Sequence, residues 1–166
     1  MRNDTHRWSP PAPLSRTADG VALTEITGLT QHIVSGTDVL ARFADKLIGW
    51  PDVIAPDSYA LSMRRDRVLL VGQANLPIGF APDTGLAVTD MSDAYTVVDL
   101  TGPDAFARLR MGAEIRLDQP SRSVVRQLFG CDVLLCCLAD AQGFRLHLPR
   151  AHAQSLAAHL CGTDRP

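Results

Sequence analysis

The chain has 166 residues, 46% of them hydrophobic and 20% charged, with a formal net charge of −2. Such a length suits one compact domain that buries roughly 70% of the surface its unfolded chain exposes, and the composition excludes a disordered chain. With 5% aromatic residues and no basic stripe, nucleic acid is not expected as a partner, and no apolar run approaches the ~20 residues needed to span a membrane.

Residues 1–20 read as a proline-rich tail, and residues 21–166 as a single domain. The polar stretch Met1–Trp8 has no hydrophobic signal core, which points to a cytoplasmic protein. "WSPPAPLSRTADG" has little periodicity and closes on an Asp-Gly turn signal. Val21–Ile26 (VALTEI) alternates apolar and polar residues, as a half-exposed strand does. "SGTDVLARFADKLIGW" predicts a helix. Thr37 or Asp38 would cap it, Val39, Leu40, Phe43 and Leu47 would form its apolar stripe, and Gly49 and Pro51 would end it.

"SYALSM" and "RVLLVG" flank Arg64, Arg65 and Asp66 as a hairpin with a polar tip. Gln73–Gly85 is rich in proline and glycine and reads as a loop. "LAVTD" and "AYTVVDL" are strand-like, and "TGPDAFARLRMG" is a short helix. Thr101 or Gly102 would cap that helix, with Pro103 in its first turn, Asp104 facing the positive end of the dipole, Phe106 and Leu109 inward, and Gly112 as the stop.

Three strands follow, separated near Phe129-Gly130 and at Ala141-Gln142-Gly143. "DVLLCCL" is apolar almost throughout and is placed at the sheet centre, buried on both faces. "FRLHL" alternates, with Phe144, Leu146 and Leu148 inward and Arg145 and His147 outward. "PRAHAQSLAAHL" is an amphipathic helix with Ala153, Leu156, Ala157 and Leu160 on its inner face. The expected fold is α+β, a mixed or antiparallel sheet packed with about three helices.

The chemistry-bearing residues concentrate in Thr89–Ala105, which holds Asp90, Ser92, Asp93, Asp99 and Asp104. A general acid or base needs a desolvated carboxylate near a substrate proton. The turn-forming habit of Asp and Ser accounts for Asp90, Ser92 and Asp93 more simply, and a helix N-terminus accounts for Asp104. Ser92 lies outside any Gly-x-Ser-x-Gly elbow, and no dinucleotide or phosphate loop is present.

Cys131, Cys136, Cys137 and Cys161 lack Cys-x-x-Cys spacing, so no zinc site is expected. The adjacent Cys136 and Cys137 should point to opposite faces of a strand, at least one of them as a small core residue. Of the histidines His6, His32, His147, His152 and His159, only His152 and His159 share one side of a helix, two turns apart. They could jointly meet a ligand, but surface helix histidines are by far the commoner outcome. No catalytic, cofactor-binding or metal residues are assigned.

"GLAVTDMSDAYTVVDLTGPDAFARL" resembles the strand-turn-strand-helix block of the aminomethyltransferase-like, folate-binding domain superfamily, and within it the gamma subunit of heterotetrameric sarcosine oxidase. The likeness rests on V-T-D-x-S-D-A and then x-G-P-D-A between Val88 and Ala105, on Gly112 through Pro120, and on Phe144 through Leu156. It covers about residues 20 to 160. The chain departs from that pattern at "RDRVLLVG", where the family tends to carry Asp-Glu-Trp-Leu, at "IRLDQP" and at "SVVRQL".

The resemblance implies a truncated folate-binding aminomethyltransferase domain with no active site of its own. It would serve as a structural subunit of a flavin-dependent oxidase or dehydrogenase acting on sarcosine or a related N-methyl amine or amino acid. Its partners would be larger flavin- and NAD-binding oxidase subunits. FAD, FMN, NAD and tetrahydrofolate are implied in those partners and none in this chain alone. The alternative is a free-standing tetrahydrofolate-binding protein or one-carbon transfer enzyme of the same superfamily, against which the short length stands. A third reading is an adaptor domain with no oxidase partner.

Overall fold

The computed structural model describes residues 14–54, 58–73, 76–139 and 143–162. The expectations placed on residues 1–13, His6 and the Ala141-Gln142 break lie outside the described residues. In chain order the elements are β1 (Arg16–Ala18), β2 (Val21–Ile26), β3 (Gln31–Ser35), α1 (Val39–Arg42), β4 (Leu47–Ile48), β5 (Tyr59–Arg64), β6 (Arg67–Val71), β7 (Gly79–Ala81) and β8 (Leu86–Asp90). There follow β9 (Tyr95–Thr101), α2 (Ala105–Gly112), β10 (Val125–Leu128), β11 (Cys131–Cys137), β12 (Phe144–Pro149), a 3-10 turn at Arg150–His152, and α3 (Ala153–Cys161). None of the described helices is long and apolar enough to cross a membrane.

The fold is α+β as expected, but with two sheets rather than one. The first has the order β1-β2-β9-β12-β11-β10 and is antiparallel throughout. The second has the order β4-β5-β6-β3-β8-β7, with one parallel pair, β4 on β5. The period-2 alternation of side chains sorts the apolar residues into three layers. Val98, Leu100, Leu135, Phe144, Leu146 and Leu148 meet Leu109, Leu156 and Leu160 of α2 and α3 on the outer face of the first sheet. Tyr59, Leu61, Leu69, Val71, Leu134 and Cys136 fill the space between the sheets. Val34, Ala60, Val68 and Leu70 of the second sheet pack with Val39 of α1 on its far side. Each large side chain buried in this way contributes roughly 1.5–3 kcal/mol.

Several expectations need correction. Arg16–Ala18, expected as tail, is an edge strand on β2, and Leu14 before it is buried. The helix after Thr37 lasts only four residues. Beyond it the chain turns through a Lys46 N–H to Phe43 carbonyl bond, and Leu47 and Ile48 then pair with β5. The apolar stripe is real, but the open edge of β5 offers its last members a ladder, and tertiary pairing outweighs local helix preference. The Gln73–Gly85 loop includes β7, and Gln31–Ser35, unassigned in the sequence, is a central strand. β11 is buried on both faces but lies next to the edge strand β10 rather than at the centre.

The largest correction concerns β12. Arg145 and His147 point inward, not outward, because the second sheet covers that face. In α2 the N-cap is Asp104 rather than Thr101 or Gly102, and Gly112 is the last helical residue. Leu109 is buried, and Phe106 stacks on Phe144 at 5.9 Å. The inner face expected for α3 is the one found.

Candidate functional site

Thr89–Ala105 carries the chain from one sheet to the other: β8 lies in the second sheet and β9 in the first. The turn between them is built from its own acids. Asp90 Oδ1 accepts the Ser92 N–H at 2.9 Å, and Ser92 Oγ accepts the Gln31 N–H at 3.0 Å. Bonds from Ser92 hold the Asp90 carboxyl below the usual carboxylate range. Met91 N–H donates to the Gln31 carbonyl, stitching the turn to β3. Asp93 faces Arg150 at 3.6 Å on the surface. The Asp104 side chain lies over Gly20, whose carbonyl accepts the Asp104 N–H at 3.0 Å. Asp99 is held apart from these, between the sheets.

There a polar network spans the interior. Arg145 makes two bonds to Asp99, Nε to Oδ1 at 2.7 Å and Nη2 to Oδ2 at 2.9 Å. Its guanidinium adjoins the Tyr59 hydroxyl. Tyr59 and His147 Nε2 are 3.1 Å apart, and His147 Nδ1 and Gln31 Oε1 2.6 Å apart. Gln31 Nε2 donates to the Tyr95 carbonyl at 3.2 Å. That last bond turns Oε1 toward His147, so His147 donates from Nδ1 and accepts the Tyr59 proton at Nε2.

The rings of Tyr59 and Tyr95 both meet His147 edge-on, at 6.0 and 6.5 Å. His147 is 0% exposed, and burial with the nearby Arg145 charge lowers its pKa to about 3. Burial pushes Tyr59 well above the usual tyrosine range, and Asp99 raises Arg145. Each network member thus has an internal partner and faces protein rather than solvent. The arrangement ties β3 and β5 of the second sheet to β9 and β12 of the first.

The sequence reading missed this cluster. Its signal was a strand, β12, with polar residues on one face beside β11, whose residues are apolar on both. Such a neighbour predicts that the polar face is covered too. Cys136 and Cys137 do face opposite layers, and burial raises the Cys136 thiol and pushes Cys137 up to about 11. His152 is exposed at the start of α3, while His159 stacks on Phe129 at 4.7 Å. His32 is 7% exposed on the far face of β3, and its Nδ1 has no partner among the described residues. No three His, Cys, Asp or Glu side chains converge among the described residues.

A cleft of about 440 Å³ opens beside the turn, between residues 25–31 and Tyr95–Val97. Its carboxylates are Glu25, which accepts the Leu14 N–H, and Asp93, which faces Arg150.

No family model matches the chain, and no curated protein does either. Among solved structures the comparison is positive. The fold is similar to one chain of a heterotetrameric sarcosine oxidase. That protein is from Corynebacterium sp. U-96, in complex with pyrrole 2-carboxylate. The match covers 89% of this chain and 86% of that one, at 21% identity and a TM-score of 0.65. The glycine cleavage system aminomethyltransferase T from Bartonella henselae matches over 86% of this chain at 16% identity and a TM-score of 0.50. This chain spans 46% of the aminomethyltransferase. The fold is therefore aminomethyltransferase-like, as the strand-turn-strand-helix block implied.

Proposed function

We propose that this chain is a structural subunit of a multi-subunit, flavin-dependent oxidase or dehydrogenase acting on sarcosine or a related N-methyl amine or amino acid. The observation that carries the reading is the match over 89% of this chain and 86% of one chain of a heterotetrameric sarcosine oxidase. The aminomethyltransferase, by contrast, extends well beyond the matched region. The geometry is in keeping with it, since the acids that resemble a site are engaged in a turn, an ion pair and a helix start. In this reading the chain docks against larger cytoplasmic subunits that hold FAD, FMN, NAD and tetrahydrofolate. The methyl-derived carbon is then handled in those subunits.

The test is purification of the full chain from its host through an affinity tag, followed by native mass spectrometry and a flavin absorbance spectrum. Larger flavin-bearing chains in fixed ratio are the expected result. A lone chain that binds tetrahydrofolate in calorimetry contradicts it and favours a free-standing folate protein.

A further inference from the structure

Trp50 organises one side of the molecule. Its indole Nε1 donates to the Arg116 carbonyl at 2.8 Å, and its backbone exchanges two bonds with Ser121, at 2.7 and 2.8 Å. One ring neighbour is Phe144 at 6.4 Å, and the Arg126 guanidinium lies over the indole at 5.3 Å. Trp50 itself is 2% exposed, so it is a floor rather than a contact. Around that floor lie three open clefts of about 640, 360 and 400 Å³. The first two share Glu114 and Arg116, and the last two share Trp50, Pro120 and Ser121, so the three adjoin one another along one side of the molecule, here called the groove.

The groove is basic in a chain whose net charge is −2. Residues 105–126 carry five arginines against two carboxylates. Arg110, Arg116, Arg122 and Arg126 line the groove. Asp118 is already paired with Arg116. Asp52, also in the lining, accepts the Gly49 N–H. Glu114 is the remaining carboxylate of the walls. Among the described residues Arg110, Arg122 and Arg126 pair with no carboxylate. Arg126 is partly buried, which lowers its pKa, and its Nη1 rests on the Ser123 and Val125 carbonyls.

The same region concentrates exposed apolar side chains. Met111, 69% exposed, lines the first cleft. Leu117, 43% exposed, follows Arg116, and Val53, 50% exposed, follows Asp52. Aliphatic contacts set among arginines without carboxylate partners are the composition of a protein interface, in which arginine and methionine are enriched. A single-stranded nucleic acid would need exposed aromatic faces for stacking, and the Trp50 ring is covered.

We propose that this groove receives an extended acidic segment of a partner polypeptide, with carboxylates on Arg110, Arg122 and Arg126 and an apolar side chain on Met111. This names the kind of partner surface that the proposed subunit role requires and rests on that reading. The first test uses the tagged full chain co-purified with its partners. An R110E/R122E variant should retain at least tenfold less partner, while R64E/R65E, on the β5–β6 turn, should retain it fully. The second uses fluorescence anisotropy with a labelled 12-residue peptide of glutamate carrying leucine at every fourth position. Affinity for the acidic peptide should fall at least tenfold in R110E/R122E, and the wild-type chain should bind at least tenfold more weakly when the peptide glutamates are replaced by lysines.

Full partner retention by R110E/R122E overturns the groove and leaves the subunit reading standing. Peptide binding by a chain that purifies without flavoproteins does the reverse. Equal affinity for acidic and basic peptides, no peptide binding, or tighter binding of a 12-nucleotide thymidine oligomer also overturns the groove.

Discussion

Arg145 on β12 and Asp99 on β9 are register partners in adjacent strands, and their side chains meet as a two-pronged ion pair between the two sheets. Both side chains are largely buried, at 10% and 17% exposure. Removing one partner of such a pair leaves a buried charge without its counter-ion, which costs roughly 3–5 kcal/mol. Asp99→Ala is therefore expected to destabilise the chain by about 3 kcal/mol in urea unfolding. The double variant Asp99→Ala/Arg145→Leu should be less destabilised than the two single variants added together.

His147 imposes a pH dependence whose sign follows from its burial. The folded state holds it neutral, with a pKa of about 3, against an ordinary value of 6.5. Between those values the unfolded chain binds the extra proton, so stability rises with pH across that window. The contribution is complete above about pH 6.5 and is lost progressively as the pH falls toward 3. From pH 6.5 to 5 the loss amounts to about 2 kcal/mol. Urea unfolding of wild type and His147→Gln at both pH values isolates it: the variant should lack that part of the slope.

The Tyr59 hydroxyl and the Gln31 amide clasp His147 from either side. Tyr59→Phe leaves a buried acceptor unpaired at Nε2, for which a loss of about 2 kcal/mol is expected. Gln31→Leu strands both the Nδ1–H of His147 and the Tyr95 carbonyl, so its loss should be larger. Thermal unfolding followed by near-ultraviolet circular dichroism orders the two.

Gly102 sits at φ +113°, and a Cβ there would come within 2.5 Å of the Gly20 carbonyl oxygen and 3.1 Å of Val21 Cα. Those obstacles are backbone and cannot swing aside. Gly85 has φ +68° with nothing within 4 Å. Gly102→Ala should cost about 3 kcal/mol, combining a region of backbone space left to glycine with a clash. Gly85→Ala should cost about 1–2 kcal/mol for its left-handed backbone alone. Differential scanning calorimetry of the two variants checks the order.

What was legible in the sequence was local. The β5–β6 hairpin, the three closing strands, the apolar face of α3 and the block from Val88 to Ala105 are written in period and punctuation. The second sheet was not, because the pairing of β3 with β6 and β8 joins segments about 40 and 60 residues apart. That hidden sheet also explains the misplaced faces. Arg145 and His147 read as solvent-facing only while nothing covers β12. The short α1 was misread for a related reason: Leu47 finds a strand partner at Ala60 that no window around residue 47 contains. At the site, Asp90 and Ser92 read correctly as turn residues, since the Asp90 carboxylate and the Ser92 N–H bond each other two positions apart, although the Ser92 hydroxyl also reaches Gln31 on β3. Gln31 and Tyr59, whose roles depend on a residue about 90 to 115 positions away, carried no local sign.

In the proposed role this chain contributes structure and docking, not acid–base chemistry, to a sarcosine-type oxidase. Steady-state turnover of sarcosine by the assembled complex carrying Asp90→Asn and Asp93→Asn tests it most directly. The prediction is a kcat within twofold of wild type with the assembly intact, since general acid–base groups are worth 10²–10⁴-fold. A loss of a hundredfold or more in an intact assembly contradicts the claim and places a catalytic carboxylate in this chain.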